Sequence, residues 1–357
     1  MTLRLALNAR FATRSLSGVD RVAQELTRAL AAFGDEVDIV GLAPKAPLVT
    51  ELTVPITHGR LKGQVWEQLE LPGAQGDRLL FSPCNIGPVT VRNQVVLIHD
   101  AQPWLLPEAY SPAFRAWYRL LLPRLARRAR AVLTISEYSR TQLERFGVVP
   151  PDKAQVVLNG ADHILRIAPD ADTLSRHGLT PGGYLLALGN LSPHKNLARL
   201  MRAAAARPAG QPPLVIAGGG NPRVFVDAGL RPPPGVRLLG RVSDGELRAL
   251  YTHASAFVFP SLTEGFGLPP LEAMLCGCPT VVSRAGAIPE VCGDASRYVD
   301  PTDEAGWTRA MVDIETSPER RQTLIEAGRR RATGFTWARS AKTLLEILDS
   351  AARGGAA

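Results

Sequence analysis

The sequence predicts an α/β protein with two doubly wound parallel sheets, each in its own domain. Short apolar runs rich in β-branched residues alternate with stretches of helical period along the whole chain. Runs such as VVLI (95–98) and FVFP (257–260) are continuously apolar, which is typical of strands covered by helices on both faces. The alternation occurs twice, before and after about residue 165, and a length of 357 residues fits two domains.

The predicted strands divide equally between the two halves of the chain. The first half contains Leu3–Asn8, Val37–Val40, Leu79–Ser82, Gln94–His99, Ala131–Ser136 and Ala154–Leu158. The second half contains Gly183–Gly189, Pro213–Ala217, Val236–Leu239, Ala256–Pro260, Pro279–Ser283 and Ser296–Val299. The helical periods between these strands predict helices over Val19–Phe33, Arg140–Phe146, Leu197–Ala206 and Asp244–His253.

The domain boundary is predicted from a change of pattern near the middle of the chain. Residues 166–183 show little apolar periodicity, so we interpret them as a linker that opens the second domain. The predicted domains are therefore 1–165 and 166–336. An amphipathic helix is predicted over 337–352, and its pattern alone allows it to pack on either domain.

Composition argues against several classes of protein. No apolar run approaches the roughly 18 residues of a membrane span, and residues 1–11 lack a secretion signal, so we expect a cytoplasmic protein. The four cysteines have neither CxxC spacing nor paired histidines nearby, which indicates free thiols. Neither G-x-G-x-x-G nor a P-loop motif follows a strand, which argues against dinucleotide dehydrogenases and P-loop enzymes. The net charge of +8 favours an anionic partner: a phosphorylated ligand, a membrane surface or nucleic acid.

The loops that follow the strands are the candidate ligand sites, because doubly wound sheets bind ligands beyond the carboxyl ends of their strands. In SLSGVDRVAQEL (15–26), Gly18 opens a helix with free amides, and a positive φ would let its backbone approach a ligand. Ser17 equally allows a plain helix cap at this place. In LALGNLSPHKNLARL (186–200), Lys195 precedes a helix, where the dipole repels a cation unless an anion lies between them.

The stretch EGFGLPPLE (264–272) follows the predicted strand Ala256–Pro260 and enters a helix at its proline pair. Glu264 lies in the loop, within reach of a ligand, and Glu272 lies in the first turn or two of the helix. Gly265 and Gly267 leave the backbone amides open to a ligand. The alternative is that Glu264 is a solvated loop acid and that Glu272 only complements the helix dipole.

Two further features concern the first half of the chain. His99 ends an apolar strand, a place where a histidine is as often functional as structural. Residues 113–130 carry six arginines and no acids, interleaved with aromatic and leucine residues. This pattern fits a basic surface, Arg115–Arg130, that docks on anionic lipid, or a helix packed on the sheet with a solvated arginine face. No nucleic-acid recognition motif accompanies the charge, so we expect no nucleic-acid partner.

Together these loops resemble the retaining glycosyltransferases of family 4, and the resemblance covers nearly the whole chain. Its most specific part is TEGFGLPPLEAMLCGCPTVVSRAGAIPEVCGDA, residues 263–295. Further matches are LGRVSDGELRALYTHASAFVFPS (239–261), VLTISEYSRTQL (132–143), VVLNGAD (156–162) and FTWARSAKTLLEIL (335–348). The resemblance implies the GT-B fold: two Rossmann-like domains with an inter-domain cleft, the first for the acceptor and the second for a nucleotide sugar. It also implies that the helix over 337–352 crosses back to the first domain.

The resemblance also implies roles for individual residues. The residues near the reacting groups are Glu264 beside the sugar and phosphate, His99 beside the donor sugar, and Lys195 on the diphosphate. The remaining donor-binding residues are Gly18, Asn190, Arg241, Val242, Gly265, Phe266, Gly267, Leu268 and Glu272, the last on the ribose hydroxyls. Relatives often have arginine at the positions of Asn190 and His194. Neutralisation of the diphosphate would therefore depend on Lys195 with helix dipoles, or on Arg199 or Arg241.

The implied reaction transfers a sugar from a nucleoside diphosphate to an acceptor hydroxyl with retention, by front-face attack and without a metal ion or other cofactor. GDP-mannose is favoured because GFGLPPLEAM resembles mannosyl and rhamnosyl transferases. UDP-glucose, UDP-N-acetylglucosamine and a non-catalytic nucleotide-sugar-binding protein stay open. The expected acceptor is a saccharide or lipid-linked saccharide in surface polysaccharide synthesis, at the inner face of the cell membrane. Residues 60–70 and 84–92 are expected to form the loops that recognise this acceptor.

Overall fold

The computed structural model describes residues 2–190, 192–219 and 231–354. The chain forms two compact units. The first unit runs to Gly160 and resumes at Thr336, and the second unit is Ala161–Phe335. The change of unit thus falls five residues before the boundary inferred from periodicity, and the helix over 337–352 belongs to the first unit.

Each unit contains one parallel sheet, so the predicted fold class is confirmed. The strands of the first sheet are β1 Leu3–Asn8, β2 Val37–Ala43, β3 Ile56–His58, β4 Leu79–Ser82, β5 Gln94–Leu97, β6 Ala131–Thr134 and β7 Ala154–Val156. Those of the second are β8 Leu185–Leu188, β9 Leu214–Ala217, β10 Val236–Gly240, β11 Ala256–Phe259, β12 Thr280–Ser283 and β13 Arg297–Val299. All twelve predicted strands lie on observed ones. β3 was not predicted, because this three-residue edge strand is largely exposed and lacks an apolar run.

The helices connect successive strands. The described helices before β9 are α1 Gly18–Ala31, α2 Gly63–Leu69, α3 Leu71–Ala74, α4 Gln102–Leu105, α5 Pro112–Arg128, α6 Glu137–Arg145, α7 His163–Arg166, α8 Thr173–Arg176 and α9 Leu197–Ala205. Those after β9 are α10 Asp244–His253, α11 Leu268–Leu275, α12 Ile288–Cys292, α13 Glu304–Thr316, α14 Pro318–Ala332 and α15 Trp337–Ala352. Short 3-10 helices cover Ala9–Thr13, Gly34–Glu36, Pro107–Ala109 and Pro193–Lys195. Within the first unit, α15 packs against α1.

The strand order fixes where a ligand can bind in each unit. The first sheet has the order β3-β2-β1-β4-β5-β6-β7, and the second has β10-β9-β8-β11-β12-β13. The direction of chain progression therefore reverses between β1 and β4 in the first sheet and between β8 and β11 in the second. A crevice opens at such a switch point beyond the carboxyl ends of the strands, and ligands of doubly wound sheets bind there.

The strands beside both switch points are almost completely buried, which makes them rigid supports for the loops that follow. In the second unit Phe257, Val258 and Phe259 of β11 are at most 1% exposed. The helices that cover this sheet contribute Trp307 and Leu200 to the same core. Loops anchored on such strands hold their side chains more precisely than loops on a mobile framework.

Candidate functional site

An ion pair lies at the switch point of the second sheet. Lys195 follows β8 and Glu264 follows β11, and the Lys195 Nζ donates a hydrogen bond of 2.7 Å to Glu264 Oε1. The Lys195 ammonium also lies 5.3 Å from the centre of the Phe259 ring. Side-chain exposure is 20% for Lys195 and 12% for Glu264, so both groups are partly desolvated but reachable. The structure thus brings together the two candidate residues predicted to flank the sugar and the diphosphate.

The turn that carries Lys195 is held by its neighbour Asn196. Asn196 has a left-handed backbone, with φ 56° and ψ 26°, between the 3-10 turn and α9. Its side-chain nitrogen donates to the carbonyl oxygens of Pro260, at 3.0 Å, and Pro301, at 2.8 Å. These bonds tie the loop after β8 to the loops after β11 and β13. Leu191, in the same loop, lies outside the described residues.

The loop that carries Glu264 is clamped on both sides. The Leu262 amide donates to the His194 carbonyl at 2.7 Å, and the Ala287 amide donates to the Glu264 carbonyl at 3.0 Å. Gly286 has φ 59°, and a Cβ built on it would lie 2.5 Å from both the amide nitrogen and the carbonyl oxygen of Glu264. Only glycine allows the two backbones to approach this closely, so Gly286 fixes the position of the Glu264 backbone.

The helix that begins after this loop presents two free amides. Gly267, the N-cap of α11, has φ 111° and offers no side-chain cap. Pro269 and Pro270 occupy the first turn and have no N–H, so Gly267 and Leu268 keep the only amides there that face outward along the axis. Neither donates to a protein acceptor anywhere in the described ranges. Such uncompensated amides at a helix N-terminus bind anions.

The side chain of Phe266 does not face a ligand. It is 4% exposed and packs edge-on against Phe335, with ring centres 6.0 Å apart. Gly265 and Phe266 form a buried bend between Glu264 and the helix. Any contact of these two residues with a ligand would therefore use backbone atoms.

Glu272 is buried on α11, and protein partners already hold both of its oxygens. Its side chain is 9% exposed; Oε1 lies 3.0 Å from His163 Nε2, and Oε2 accepts a hydrogen bond of 3.1 Å from the Tyr251 hydroxyl. Burial and the neighbouring Glu272 raise the pKa of Tyr251 well above its ordinary value, which keeps it a donor. Each carboxylate oxygen keeps a further lone pair for a ligand hydroxyl.

His163 and Tyr251 were not singled out from the sequence. His163 directly follows the NGAD motif (159–162), and Tyr251 occurs in an otherwise aliphatic face of α10. A buried tyrosine needs a partner for its hydroxyl, which is the one signal that could have drawn attention to it. Its pairing with residue 272 depends on the tertiary fold.

Asn190 and His194 occupy the positions where relatives often have arginine, and Arg199 and Arg241 are the residues expected to replace the missing charge. These four residues differ in their environment. Asn190 is exposed, and its side-chain oxygen accepts the Ser192 amide at 3.0 Å in a local turn. Arg199 donates to the Pro301 carbonyl at 3.0 Å and thus supports the Lys195 turn. Arg241 is exposed and Val242 half-buried, after β10. Burial, reinforced by Lys195, lowers the pKa of His194, so this side chain adds no positive charge near neutral pH.

In the first unit, His99 is a buried neutral imidazole just beyond β5. Its Nε2 donates to the Pro83 carbonyl at 2.8 Å, and its amide donates to Asn85 Oδ1 at 2.7 Å. Because the carbonyl only accepts, Nε2 carries the proton and Nδ1 is the acceptor. Burial lowers the pKa of His99 to about 4.

The expectation for Gly18 was wrong in one respect. Gly18 is the first residue of α1 and has helical backbone rather than positive φ. The cause is a complete capping box, in which Ser17 and Asp20 bond each other's backbone amides. A Cβ at Gly18 would meet no atom within 4 Å, so the space above this helix start is open.

The arginine-rich segment forms the long helix α5. Trp117 and Tyr118 pack against the core of the first unit, so they do not belong to an outward aromatic face. Arg119, Arg124, Arg127 and Arg128 are exposed, as is half of the Leu120 side chain. Arg130 donates to the carbonyl oxygen of Ala351 at the end of α15. None of the described helices combines the length and hydropathy needed to cross a bilayer.

The described ranges contain no convergence of three or more histidine, cysteine, aspartate or glutamate side chains of the kind that holds a metal ion. All four cysteines are free thiols, as predicted. Burial raises the pKa of Cys276 and of Cys292 to about 12, so neither is a reactive thiolate at neutral pH.

Comparison with known proteins gives consistent matches for both units. The model of the group 1 glycosyl transferases matches residues 177–331, and that of glycosyltransferase family 4 matches residues 88–164. O-antigen chain mannosyltransferase B of Escherichia coli is 32% identical over 273 residues, 73% of this chain and 71% of that protein. O-antigen chain mannosyltransferase RfbU of Salmonella typhimurium is 30% identical over 234 residues, 64% of this chain and 63% of that protein.

Solved structures match over almost the whole chain. Sucrose-phosphate synthase from Thermosynechococcus elongatus superposes with a TM-score of 0.77 over 99% of this chain and 100% of its own, at 18% identity. Anabaena Alr3699/HepE, crystallised with UDP and glucose, gives a TM-score of 0.74 over 98% of this chain and 100% of its own, also at 18% identity. At such identities the matches establish the fold.

Proposed function

Because this chain belongs to the family 4 glycosyltransferases and has their GT-B architecture, we propose that it transfers a mannosyl group from GDP-mannose to a saccharide hydroxyl. The second unit holds the donor in this proposal, and the first unit holds the acceptor. The observation that carries the proposal is the Lys195–Glu264 pair at the switch point of the second sheet. The free amides of Gly267 and Leu268 begin the helix that follows the same loop.

The positive groups at this site suit a leaving diphosphate. As the glycosidic bond breaks, negative charge grows on the β-phosphate, and fixed donors stabilise it more in the transition state than in the ground state. Lys195 supplies a full positive charge, and the amides of Gly267 and Leu268 supply oriented dipoles. Glu264 carries the opposite charge, which suits the positive charge that develops at the anomeric carbon.

Retention and independence of metal ions are part of the proposal. Among the described residues of the second unit, Glu264 is the partly exposed carboxylate at the switch point, and this side chain is already paired with Lys195. We assign it to electrostatic stabilisation rather than to covalent attack, so the acceptor attacks the face that the phosphate leaves. The leaving phosphate oxygen then takes the acceptor proton. Lys195 and the helix amides provide the charge stabilisation that a metal ion provides in other phosphate sites.

The choice of GDP-mannose is supported by two relatives at 30% identity or more that are named as O-antigen mannosyltransferases. The structure of Alr3699/HepE with UDP and glucose supports the alternative of a UDP-sugar. The exposed Arg241 and the half-buried Val242 follow β10, where they are available to a nucleoside base. Glu272 is assigned to the ribose through the lone pairs that His163 and Tyr251 leave free.

For the acceptor we propose a lipid-linked saccharide used to build a surface polysaccharide. The exposed arginines of α5 support contact with an anionic membrane surface, since they carry positive charge without acidic neighbours on that helix. The packing of Trp117 and Tyr118 into the core makes this contact mainly electrostatic. Sedimentation with vesicles that contain phosphatidylglycerol should therefore fall as salt rises from 50 to 500 mM, by the usual screening of surface charge.

The experiment that tests the proposal measures release of GDP or UDP from a panel of nucleotide sugars, with and without a mannoside acceptor. GDP-mannose should give the highest rate, in the presence of EDTA as well. The one-bond C1–H1 coupling of the transferred mannose, measured by NMR, should be that of an α-linkage, the configuration of GDP-mannose. A β-linked product would contradict retention, activity only with UDP-sugars would contradict the donor, and tight donor binding without turnover would indicate the non-catalytic alternative.

A further inference from the structure

A second ion pair lies at the switch point of the first sheet. Arg10 follows β1 in a 3-10 helix, Glu67 lies on α2, and Arg10 Nε is 3.3 Å from Glu67 Oε1. Asn8, which ends β1, donates to the same Glu67 oxygen at 2.7 Å and to Ser82 Oγ, at the end of β4, at 3.4 Å. Glu67 is therefore fixed over the gap between β1 and β4, where the strand order reverses.

Glu67 is a costly residue for this position. Its side chain is 1% exposed, and its second oxygen, Oε2, is buried without a hydrogen-bond partner among the described residues. Burial raises the pKa of Glu67, although Arg10 and Asn8 oppose that shift. Apolar side chains of similar size often replace a buried ion pair without loss of stability. At the switch point of a sheet, where ligands bind, a buried carboxylate with an unmet acceptor points to a function beyond packing.

The arginine of this pair is more accessible than its acid. The Arg10 side chain is 14% exposed, against 1% for Glu67. Arg14, which is 41% exposed, is anchored in the same way by the buried carboxylate of Asp20. Tyr118 lies within electrostatic range of Arg10, Arg14 and Glu67. Both arginines thus follow β1 beside the switch point, and each is anchored by a buried acid.

The charges of this cluster cancel. Arg10 and Arg14 carry two positive charges, and Glu67 and Asp20 carry two negative charges, so the sum is zero when all four are ionised. A site without net charge gains little from binding a phosphate, but it offers both donors and acceptors in fixed positions. That combination matches the hydroxyl groups of a neutral sugar ring.

We propose that Arg10 binds a neutral sugar ring of the acceptor at the switch point of the first sheet, and that Glu67 is a positioning residue which holds the Arg10 guanidinium in place. This inference rests on the proposed function, because it assigns the acceptor side of the same reaction. Glu67 engages the Nε edge of Arg10 and leaves its terminal nitrogens for the ligand. An arginine that is already fixed loses less side-chain entropy on binding.

The test uses octyl α-D-mannopyranoside as a neutral acceptor probe, with Arg10→Gln and Glu67→Gln. Each variant should raise KM for the probe about tenfold or more, since a hydrogen bond to a charged group is lost or misaligned. KM for GDP-mannose and the affinity for GDP should stay within about twofold of the wild type, because the donor residues belong to the second unit. Arg10→Lys, which keeps a charged donor, should recover part of the loss.

Glu315→Gln is the matched control. Glu315 is also a buried acid paired with an arginine, Arg207, and its Oε2 also lacks a partner in the described part of the chain. It lines a separate pocket of about 360 Å³ that includes Pro212, Ser255 and Pro279, each just before a strand. Glu315→Gln should lower thermal stability as Glu67→Gln does, but leave KM for the probe unchanged. Arg10→Gln keeps the test decisive if Glu67→Gln does not fold.

The outcomes separate this inference from the proposed function. A wild type that binds neither GDP nor GDP-mannose contradicts the proposed function. A wild type that hydrolyses GDP-mannose but shows no saturation transfer to octyl mannoside by NMR overturns the inference alone, as does an unchanged KM in Arg10→Gln. Mannose 1-phosphate serves as a charged comparison probe. If Arg10→Gln raised KM more for mannose 1-phosphate than for octyl mannoside, the assignment of a neutral ring would be overturned.

Discussion

Lys195 and Glu264 are 69 residues apart in sequence and 2.7 Å apart in space, because β8 and β11 are neighbours at the strand-order reversal of the second sheet. In the unliganded chain each is the counter-ion of the other. When an anionic donor binds, the Lys195 ammonium has to interact with both the Glu264 carboxylate and a phosphate. The pair thus places a cation and its counter-ion at the same switch point, and several measurable consequences follow.

Replacing Lys195 by methionine should lower kcat about 10²- to 10³-fold, since it removes a fixed charge from the developing phosphate anion. The affinity for GDP should fall as well. Arg202→Met is the control, because Arg202 lies on α9, the helix that follows Lys195, and forms an exposed pair with Glu304 of α13. Loss of an exposed pair costs little, so this variant should keep wild-type rates. Steady-state kinetics and calorimetric titration with GDP give both quantities.

Gly286→Ala should inactivate the protein far more than it destabilises it. A Cβ at Gly286 would push on the backbone of Glu264 from 2.5 Å, and φ is 59°. Gly178→Ala has nearly the same φ, 55°, but its Cβ would meet nothing within 4 Å. In both variants the left-handed backbone should lower the free energy of unfolding by about 1–2 kcal/mol, and the contact with Glu264 should add to this loss in Gly286→Ala. Only Gly286→Ala should lose transfer activity, and equal activities would contradict the clamp on Glu264.

Glu272→Gln tests the assignment of the ribose. The wild type should bind GDP about tenfold more tightly than 2′,3′-dideoxy-GDP, which lacks the hydroxyls that a carboxylate accepts from. In Glu272→Gln this difference should shrink to within about twofold. Tyr251→Phe serves as the control, because it removes a neighbour of Glu272 but leaves the carboxylate. Isothermal titration with the two nucleotides gives the ratio, and an unchanged ratio in Glu272→Gln would disprove the assignment.

His99 should make the stability of the protein depend on pH. Its pKa is about 4 in the folded state against an ordinary 6.5, so the unfolded state binds more protons between these values. The free energy of unfolding should therefore be flat above pH 6.5 and fall as pH decreases toward 4. Between pH 7 and pH 5 the loss due to His99 should be about 2 kcal/mol. Urea unfolding of His99→Gln, whose side chain does not titrate, should show a correspondingly smaller loss.

Much of the fold was predictable because its strands are buried on both faces. Runs such as Gln94–Leu97 and Ala256–Phe259 are continuously apolar, and this pattern needs no tertiary information. The edge strand β3 and the helix α2 were not predicted, since an exposed edge and a half-exposed helix mix polar and apolar residues. The family itself was correctly identified from the motif over 263–295, and the matches to both units confirm it.

The site was predictable only where one segment carries it. Glu264 and Glu272 share a segment, whereas His163 and Tyr251 reach Glu272 from two other helices, and no local pattern announces such contacts. Gly18 failed as a positive-φ residue because its conformation is set by the capping box of Ser17 and Asp20. Arg10 and Glu67 meet only through the strand order of the first sheet.

The most direct measurement is the initial rate of GDP release from GDP-mannose in the presence of an acceptor, for the wild type and for Glu264→Ala. We expect the rate of the variant to fall at least about 10²-fold. Its melting temperature should still rise on addition of GDP, because a bound nucleotide stabilises the folded state. A Glu264→Ala protein that transfers mannose at the wild-type rate would contradict the role of the Lys195–Glu264 pair and, with it, the proposed catalytic site.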